Sequence, residues 1–144
     1  MEWTLEVVLL PVSDLDRAKD FYENKCGFKA DMDGEVAPGV RVIQITPPGS
    51  RCSLAMTEGM PPAPGQGRAE PGSLQGLQLC VTDIEAAHAE LAGRGVDITP
   101  VRHLGPEGWT EGRSEAPWSS FCFFKDPDGN GWAVQEAPAP LSER

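Results

Sequence analysis

The chain has no apolar run approaching the roughly 20 residues that a membrane-crossing helix needs, so a membrane is not an expected partner. It also shows no basic segment followed by an apolar one near Met1, the pattern of a secretory leader, and its expected location is therefore cytoplasmic. Basic residues are scarce: 12 Lys and Arg stand against 22 Asp and Glu, a formal net charge of −10. Nucleic acid and anionic lipid both require clustered cations, so neither is expected to bind. There is no C-x-x-C pair. Cys26, Cys52, Cys80 and Cys122 are widely spaced and read as small apolar side chains in a reducing compartment. G-x-G-x-x-G, P-loop and G-x-S-x-G motifs are all missing, which removes the sequence grounds for a dinucleotide, nucleotide or serine-hydrolase site.

What the chain does contain is an internal repeat. Val12-Ser13-Asp14-Leu15-Asp16-Arg17-Ala18 returns 69 residues later as Val81-Thr82-Asp83-Ile84-Glu85-Ala86-Ala87. Each copy follows an apolar stretch and opens a helical pattern. Leu5 to Val12 reads as a buried strand, and Ser13 is the expected N-cap of a helix with Leu15, Ala18 and Tyr22 on one face and Gly27 at its end. Val40 to Thr46 alternates as a strand, Pro47-Pro48-Gly49 turns the chain, and Cys52 to Met56 returns. In the second half, Leu77 to Val81 reads as a strand and Thr82-x-x-Glu85 as a capping box. Ile84, Ala87 and Leu91 form the helical stripe, and Gly93 and Gly95 end it. Ser120 to Phe124 and Trp132 to Gln135 are strands joined by the turn Asp126-Pro127-Asp128-Gly129. Weaker strand signals lie near Lys29 to Asp33 and near Asp97 to Arg102.

Each half thus reads β-α-β-β-β. The expected organisation is a first module at 1–58, a Pro/Gly-rich linker at 59–76, a second module at 77–137 and a polar tail at 138–144, all in one integrated domain. Leu104 to Trp118 reads as an irregular insertion of the kind that carries function. Asp126-x-Asp128-x-Asn130-Gly131 imitates the start of an EF-hand loop. Its twelfth position is Ala137 instead of Glu, and a strand follows where a helix should, so it reads as a hairpin turn.

These residues carry a family resemblance. Pro11 to Asp14, Asp16 to Tyr22 with Gly27-Phe28, Phe124 to Asn130, and Trp132 to Glu136 together resemble the vicinal oxygen chelate superfamily, over about residues 4 to 136. That superfamily includes glyoxalase I, bleomycin-resistance proteins, fosfomycin-resistance enzymes and extradiol dioxygenases. The resemblance implies an α+β fold of two βαβββ modules forming a cup-shaped, partly closed mixed sheet, with an organic ligand in the cup and a homodimer as the assembly. Function is less specified, because one scaffold hosts many chemistries.

Metal-dependent members carry His, Glu or Gln ligands at four symmetric positions, on the first and last strand of each module. Matching Asp14 with Asp83 and Gly49 with Gly129 puts Val7, Ser53, Gly76 and Ala133 there. Valine, glycine and alanine offer no side-chain donor, so no metal and no other cofactor is expected. The same strand parity turns Leu5, Leu9, Arg51, Ala55, Gln78, Cys80 and Gln135 inward, a lining suited to an organic molecule with a few polar handles. Trp109 and Trp118 on the insertion are placed to close over such a ligand. The expected ligand contacts are Val7, Leu9, Arg51, Ser53, Gly76, Gln78, Trp109, Ala133 and Gln135. His88 falls mid-helix toward solvent, and His103, just before the insertion, is the one weak catalytic candidate. The leading expectation is a small-molecule-binding protein of the bleomycin-resistance type. The alternative is a glyoxalase-like lyase, isomerase or dioxygenase using a divalent metal, and a third is a metal-free enzyme with His103 or an acidic loop residue as base.

Overall fold

The computed structural model describes residues 1–144. The elements run β1 (Val7–Leu9), α1 (Leu15–Asp20), β2 (Lys29–Ala37), β3 (Val40–Thr46), β4 (Ser53–Glu58), β5 (Leu77–Val81), α2 (Ile84–Gly93), β6 (Arg102–Gly105), β7 (Gly108–Glu111), β8 (Ser120–Lys125) and β9 (Gly131–Glu136). They build an α+β fold of two mixed, open sheets with strand orders β1-β4-β3-β2 and β5-β9-β8-β6-β7. In each sheet the first strand runs parallel to the last and the remaining pairs are antiparallel. By contacts the chain forms two compact units. One comprises Met1–Leu74 with Asp126–Asn130, and the other Gln75–Lys125 with Gly131–Arg144.

In the first unit α1 buries Leu15 and Ala18, at 4% and 1% exposure, and lies on β3 and β4. The helix continues through a wider π-type turn, Phe21–Lys25, closed by the Cys26 N–H donating to the Phe21 carbonyl at 3.0 Å. Gly27, at φ 74°, then turns the chain in the left-handed conformation that glycine adopts without steric cost. Ile43, Ile45, Leu54 and Met56, all 4% exposed or less, form the helix side of the sheet. The second unit repeats the plan: α2 buries Ile84 and Leu91 and lies on β8 and β9, over Cys122, Phe124, Trp132 and Val134.

Both helices start one residue later than the sequence suggests. Asp14 and Asp83 are the N-caps, accepting from the Arg17 and Ala86 N–H groups at 3.1 and 2.9 Å. Ser13 instead donates to Asp128 at 2.5 Å. The identical shift in both copies makes the repeat more regular than its first reading. The expected Leu104 to Trp118 irregularity holds only in part, because β6 and β7 form a short hairpin there and give the second sheet a fifth strand.

The Pro/Gly-rich stretch 59–76 has no regular structure, yet its end is tied down. The Gly72 N–H donates to the Pro11 carbonyl at 3.0 Å and the Leu74 N–H to Asn130 Oδ1 at 3.0 Å. Gly72 has φ 81°, and any side chain there would run into the Asp128 carbonyl oxygen. The same unit holds a buried polar cluster. Asp126, 5% exposed, accepts from the Tyr22 hydroxyl at 2.8 Å, from Asn130 Nδ2 at 2.8 Å and from the Asp128 and Asn130 N–H groups. Asn130, fully buried, also donates to the Pro11 carbonyl at 2.8 Å. Every donor and acceptor in the cluster is paired, the condition under which buried polar groups hold a single conformation.

Candidate functional site

Each sheet has one face under its helix and one face without a helix of its own unit. Strand register defines what stands on the open faces. On the first sheet, Leu9, Ala55, Gln44 and Met32 lie side by side across four strands, and Val7 stands beside Ser53. Leu9 and Val7 are 70% and 44% exposed, a large apolar exposure for an edge strand. Ser53 and Thr46 share a hydrogen bond of 2.7 Å, and the Thr46 hydroxyl also donates to the Asp31 carboxylate.

The second open face is aromatic. One row across its five strands reads Cys80, Gln135, Phe121, Arg102 and Glu111, and the next reads Gln78, Ala133 and Phe123. The Phe121 and Phe123 rings are parallel at 6.1 Å, and Trp109 crosses both at 85° and 86°, with centroids 5.4 and 5.6 Å away. This edge-to-face geometry is the favoured one for aromatic quadrupoles. Trp109 stays 53% exposed, so a flat ring surface remains open to solvent. Gln135 Nε2 donates to the Trp118 carbonyl at 2.8 Å. Trp118 itself has a left-handed backbone, φ 64°, uncommon for a bulky residue, and the Arg144 guanidinium lies 5.2 Å from its ring.

The sequence-derived site residues divide accordingly. Gln78, Ala133, Gln135 and Trp109 share the second open face, and Val7, Leu9 and Ser53 share the first. Arg51 does not join them: it is exposed in the turn before β4. Gly76 does not either, since it precedes β5 with φ 85°. Ser53 pairs with Val7 and Ala133 with Gln78, so Gln78, two residues later, is the counterpart of Val7. The two turn and cap anchors give registers two residues apart because the first strand reaches its N-cap over a longer span than β5 does. His103 pairs with Ser120, on the opposite side of the sheet from Phe121, and its Nδ1 lies 2.8 Å from the Gly112 carbonyl. That hydrogen bond aims the ring at the backbone, away from the aromatic face. His88, expected in solvent, is half-buried. Phe121, Phe123 and Arg102 were not anticipated. The alternation within Ser120 to Phe124 contains the signal, since Phe121 and Phe123 share the parity of neither Cys122 nor Phe124, the buried residues of that strand.

Ion pairs shift the ionisation of their members at two places. Asp33 is held well below the usual carboxylate range by hydrogen bonds from Arg41 at 3.0 Å and Lys19 at 2.9 Å. The same carboxylate raises Lys19 and, together with Asp16, Arg41. In the second unit Arg113 grips Glu136 at 2.7 and 3.0 Å and lowers it, helped by the Ile84 N–H at 3.1 Å. Burial pushes the Cys122 thiol up to about 11, which leaves it protonated and inert. The metal-ligand positions of the resemblance, with Gln78 in place of Gly76 by strand register, are Val7, Ser53, Gln78 and Ala133, which present an isopropyl group, a hydroxyl, an amide and a methyl. That set does not fit a divalent cation. No group of three His, Cys, Asp or Glu side chains converges elsewhere. A shallow cleft of about 410 Å³ lies at the far end of the β2–β3 hairpin, lined by Gly34, Glu35, Gly39, Val40, Arg41 and Glu58, and it shares no residue with either row of the aromatic face.

The family model of the Glyoxalase/Bleomycin resistance protein/Dioxygenase superfamily matches residues 4–134. Among solved structures, the chain is similar to TnmS3, an antibiotic binding protein from Streptomyces sp. CB03234, at 31% identity and a TM-score of 0.71, covering 94% of this chain and 97% of that one. It is similar to a glyoxalase/bleomycin resistance protein from the same Streptomyces at 32% identity and a TM-score of 0.67, covering 92% and 99%. A superfamily member from Sphaerobacter thermophilus DSM 20745 is 30% identical with a TM-score of 0.69, covering 94% and 98%. Among curated proteins none matches significantly.

Proposed function

Starting from a chain that belongs to the Glyoxalase/Bleomycin resistance protein/Dioxygenase superfamily, we propose that it holds an organic small molecule against the open face of its second sheet, without a divalent metal and without chemistry. The observation that carries this reading is the aromatic corner of Trp109, Phe121 and Phe123, exposed on a face whose nearby neutral polar groups are the amides Gln78 and Gln135. Aromatic area with a few hydrogen-bonding handles is the composition of a small-molecule site. A reaction needs an acid, base or Lewis acid beside the reacting atom. The amides cannot serve, and His103 points to the Gly112 carbonyl. The similarity to an antibiotic binding protein supports sequestration as the role.

Thermal-shift screening and calorimetry against a panel of aromatic natural products test the reading, with binding and an unchanged ligand expected. Elemental analysis of protein purified without chelator tests the metal-free part. Stoichiometric Zn, Ni, Mn or Fe would turn the reading toward a glyoxalase-like lyase, isomerase or dioxygenase. The homodimer is part of the same proposal. Leu9, 70% exposed on the first sheet's edge strand, and Leu5, 74% exposed just before it, are apolar surface that a second copy would cover, and light scattering reads the mass directly.

A further inference from the structure

Arg102 is the unusual cation of this chain. Arg17, Arg41, Arg94 and Arg113 each sit in an ion pair at 3.2 Å or less. Arg102 is half-buried, yet its guanidinium has no ion-pair, hydrogen-bond or ring partner. Register puts it on the aromatic face, directly beside Phe121 and on the strand between those of Phe121 and Trp109. Glu111 stands opposite it on β7 but is exposed and forms no salt bridge with it.

A guanidinium does not shed its charge when it is partly desolvated, so it must find an acceptor or keep its hydration. Its donor fork matches a carboxylate in shape and charge, and a charge-assisted pair formed beside apolar rings is stronger than one formed in open water. We propose that this face selects flat aromatic acids, with Trp109, Phe121 and Phe123 taking the ring system and Arg102 taking the acid group. The inference rests on the small-molecule reading above and adds the ligand's chemical class. The overall charge of −10 makes the selection a local one, since the field of the whole chain repels anions.

The probes are 2-naphthoate and its neutral counterpart 2-naphthalenemethanol, titrated by calorimetry. Wild-type protein is expected to bind the acid about tenfold more tightly than the alcohol, the scale of one charge-assisted hydrogen bond. Arg102→Gln should abolish that preference while leaving alcohol binding unchanged, and Arg102→Lys should keep part of it. Glu111→Gln should tighten acid binding about twofold to threefold by removing the opposing charge. Trp109→Ala should weaken both probes. Equal affinity for acid and alcohol in wild type, or a preference that survives in Arg102→Gln, overturns the inference and leaves the small-molecule reading standing. Binding of neither probe at millimolar concentration also overturns it. The small-molecule reading falls only if the wider panel is silent too.

Discussion

The two sheets are built alike and lined differently. Both pair their first strand in parallel with their last, both cover one face with a helix capped by an aspartate, and both leave the other face open. The helix-side residues of the sheets are interchangeable in kind: Ile43, Ile45 and Met56 in one, Cys122, Phe124 and Val134 in the other. The open faces are not. One carries Leu9, Ala55, Gln44 and Met32, the other Phe121, Phe123 and Trp109 around an unpaired arginine. Residues that hold the scaffold have kept their character through the repeat, and residues that face outward have diverged. The inserted hairpin accounts for much of the divergence, because it adds the strand that brings Trp109 against the two phenylalanines.

The hairpin turns differ as well, and there the largest effect is expected. Asp126 satisfies four donors at once in a buried cluster, whereas the turn at Pro47-Pro48-Gly49 is followed by Ser50, whose hydroxyl bonds only the backbone of Cys52. Asp126→Ala strands the Tyr22 hydroxyl and the Asn130 amide, and should cost about 3–5 kcal/mol of unfolding free energy. Ser50→Ala should cost less than about 0.5 kcal/mol. Urea unfolding of the two variants measures the contrast, and equal losses would erase it.

The second contrast concerns binding. Phe121→Ala should weaken any aromatic ligand by about tenfold or more, as loss of a central aromatic contact does. Met32→Ala, at the far edge of the first open face and already 38% exposed, should change affinity less than about threefold. Calorimetry with one ligand on both variants decides. A larger loss at Met32 would move the site to the first sheet.

Much of this was legible in the residues. The buried stripes of Leu15, Ala18 and Tyr22 and of Ile84 and Leu91, the hairpin turn at Asp126, and the superfamily itself follow from periodicity and motif. The β6–β7 hairpin was hidden because its strands are four residues each and sit among Pro100, Gly105, Pro106, Gly108 and Gly112, which read as loop. Gly76 took the place of Gln78 because a repeat aligned on helix caps is insensitive to a two-residue difference between strand and cap, and such a slip keeps the same face. Arg102 was hidden for a different reason. An arginine without a partner is recognisable only once the partners of the others are known.

The units also differ in how acid should act on them. Asp33 ionises more easily folded than unfolded because of Arg41 and Lys19, and Glu136 does so because of Arg113. A depressed folded-state pKa contributes stability above the unfolded value and loses it as pH falls toward the folded one. Asp33→Asn should therefore be less stable than wild type at pH 7, and the gap should close as pH falls below the ordinary aspartate value of 3.8. Glu136→Gln should show the same sign, closing below the ordinary glutamate value of 4.5. Both sites are near the surface, so the gaps should shrink in high salt. A gap that widened toward low pH would contradict the ion pairs.

The smallest effect is chemical, and it reports on the aromatic face without perturbing it. Each unit has one buried thiol, Cys26 or Cys122, and one more accessible, Cys52 or Cys80. A native-state titration with a thiol reagent should label Cys80 first and leave Cys122 unreacted until the chain unfolds, since burial holds that thiol protonated. Cys80 shares its row with Gln135 and Phe121, its sulfur 3.8 Å from the Gln135 side-chain oxygen. A ligand seated on that row covers the sulfur and slows its labelling, while Cys52, outside β4, reacts at an unchanged rate. Slowing at Cys80 alone assigns the ligand to the second face. Unchanged labelling of Cys80 with a ligand bound places the ligand off this row, and the aromatic residues would then be packing surface only.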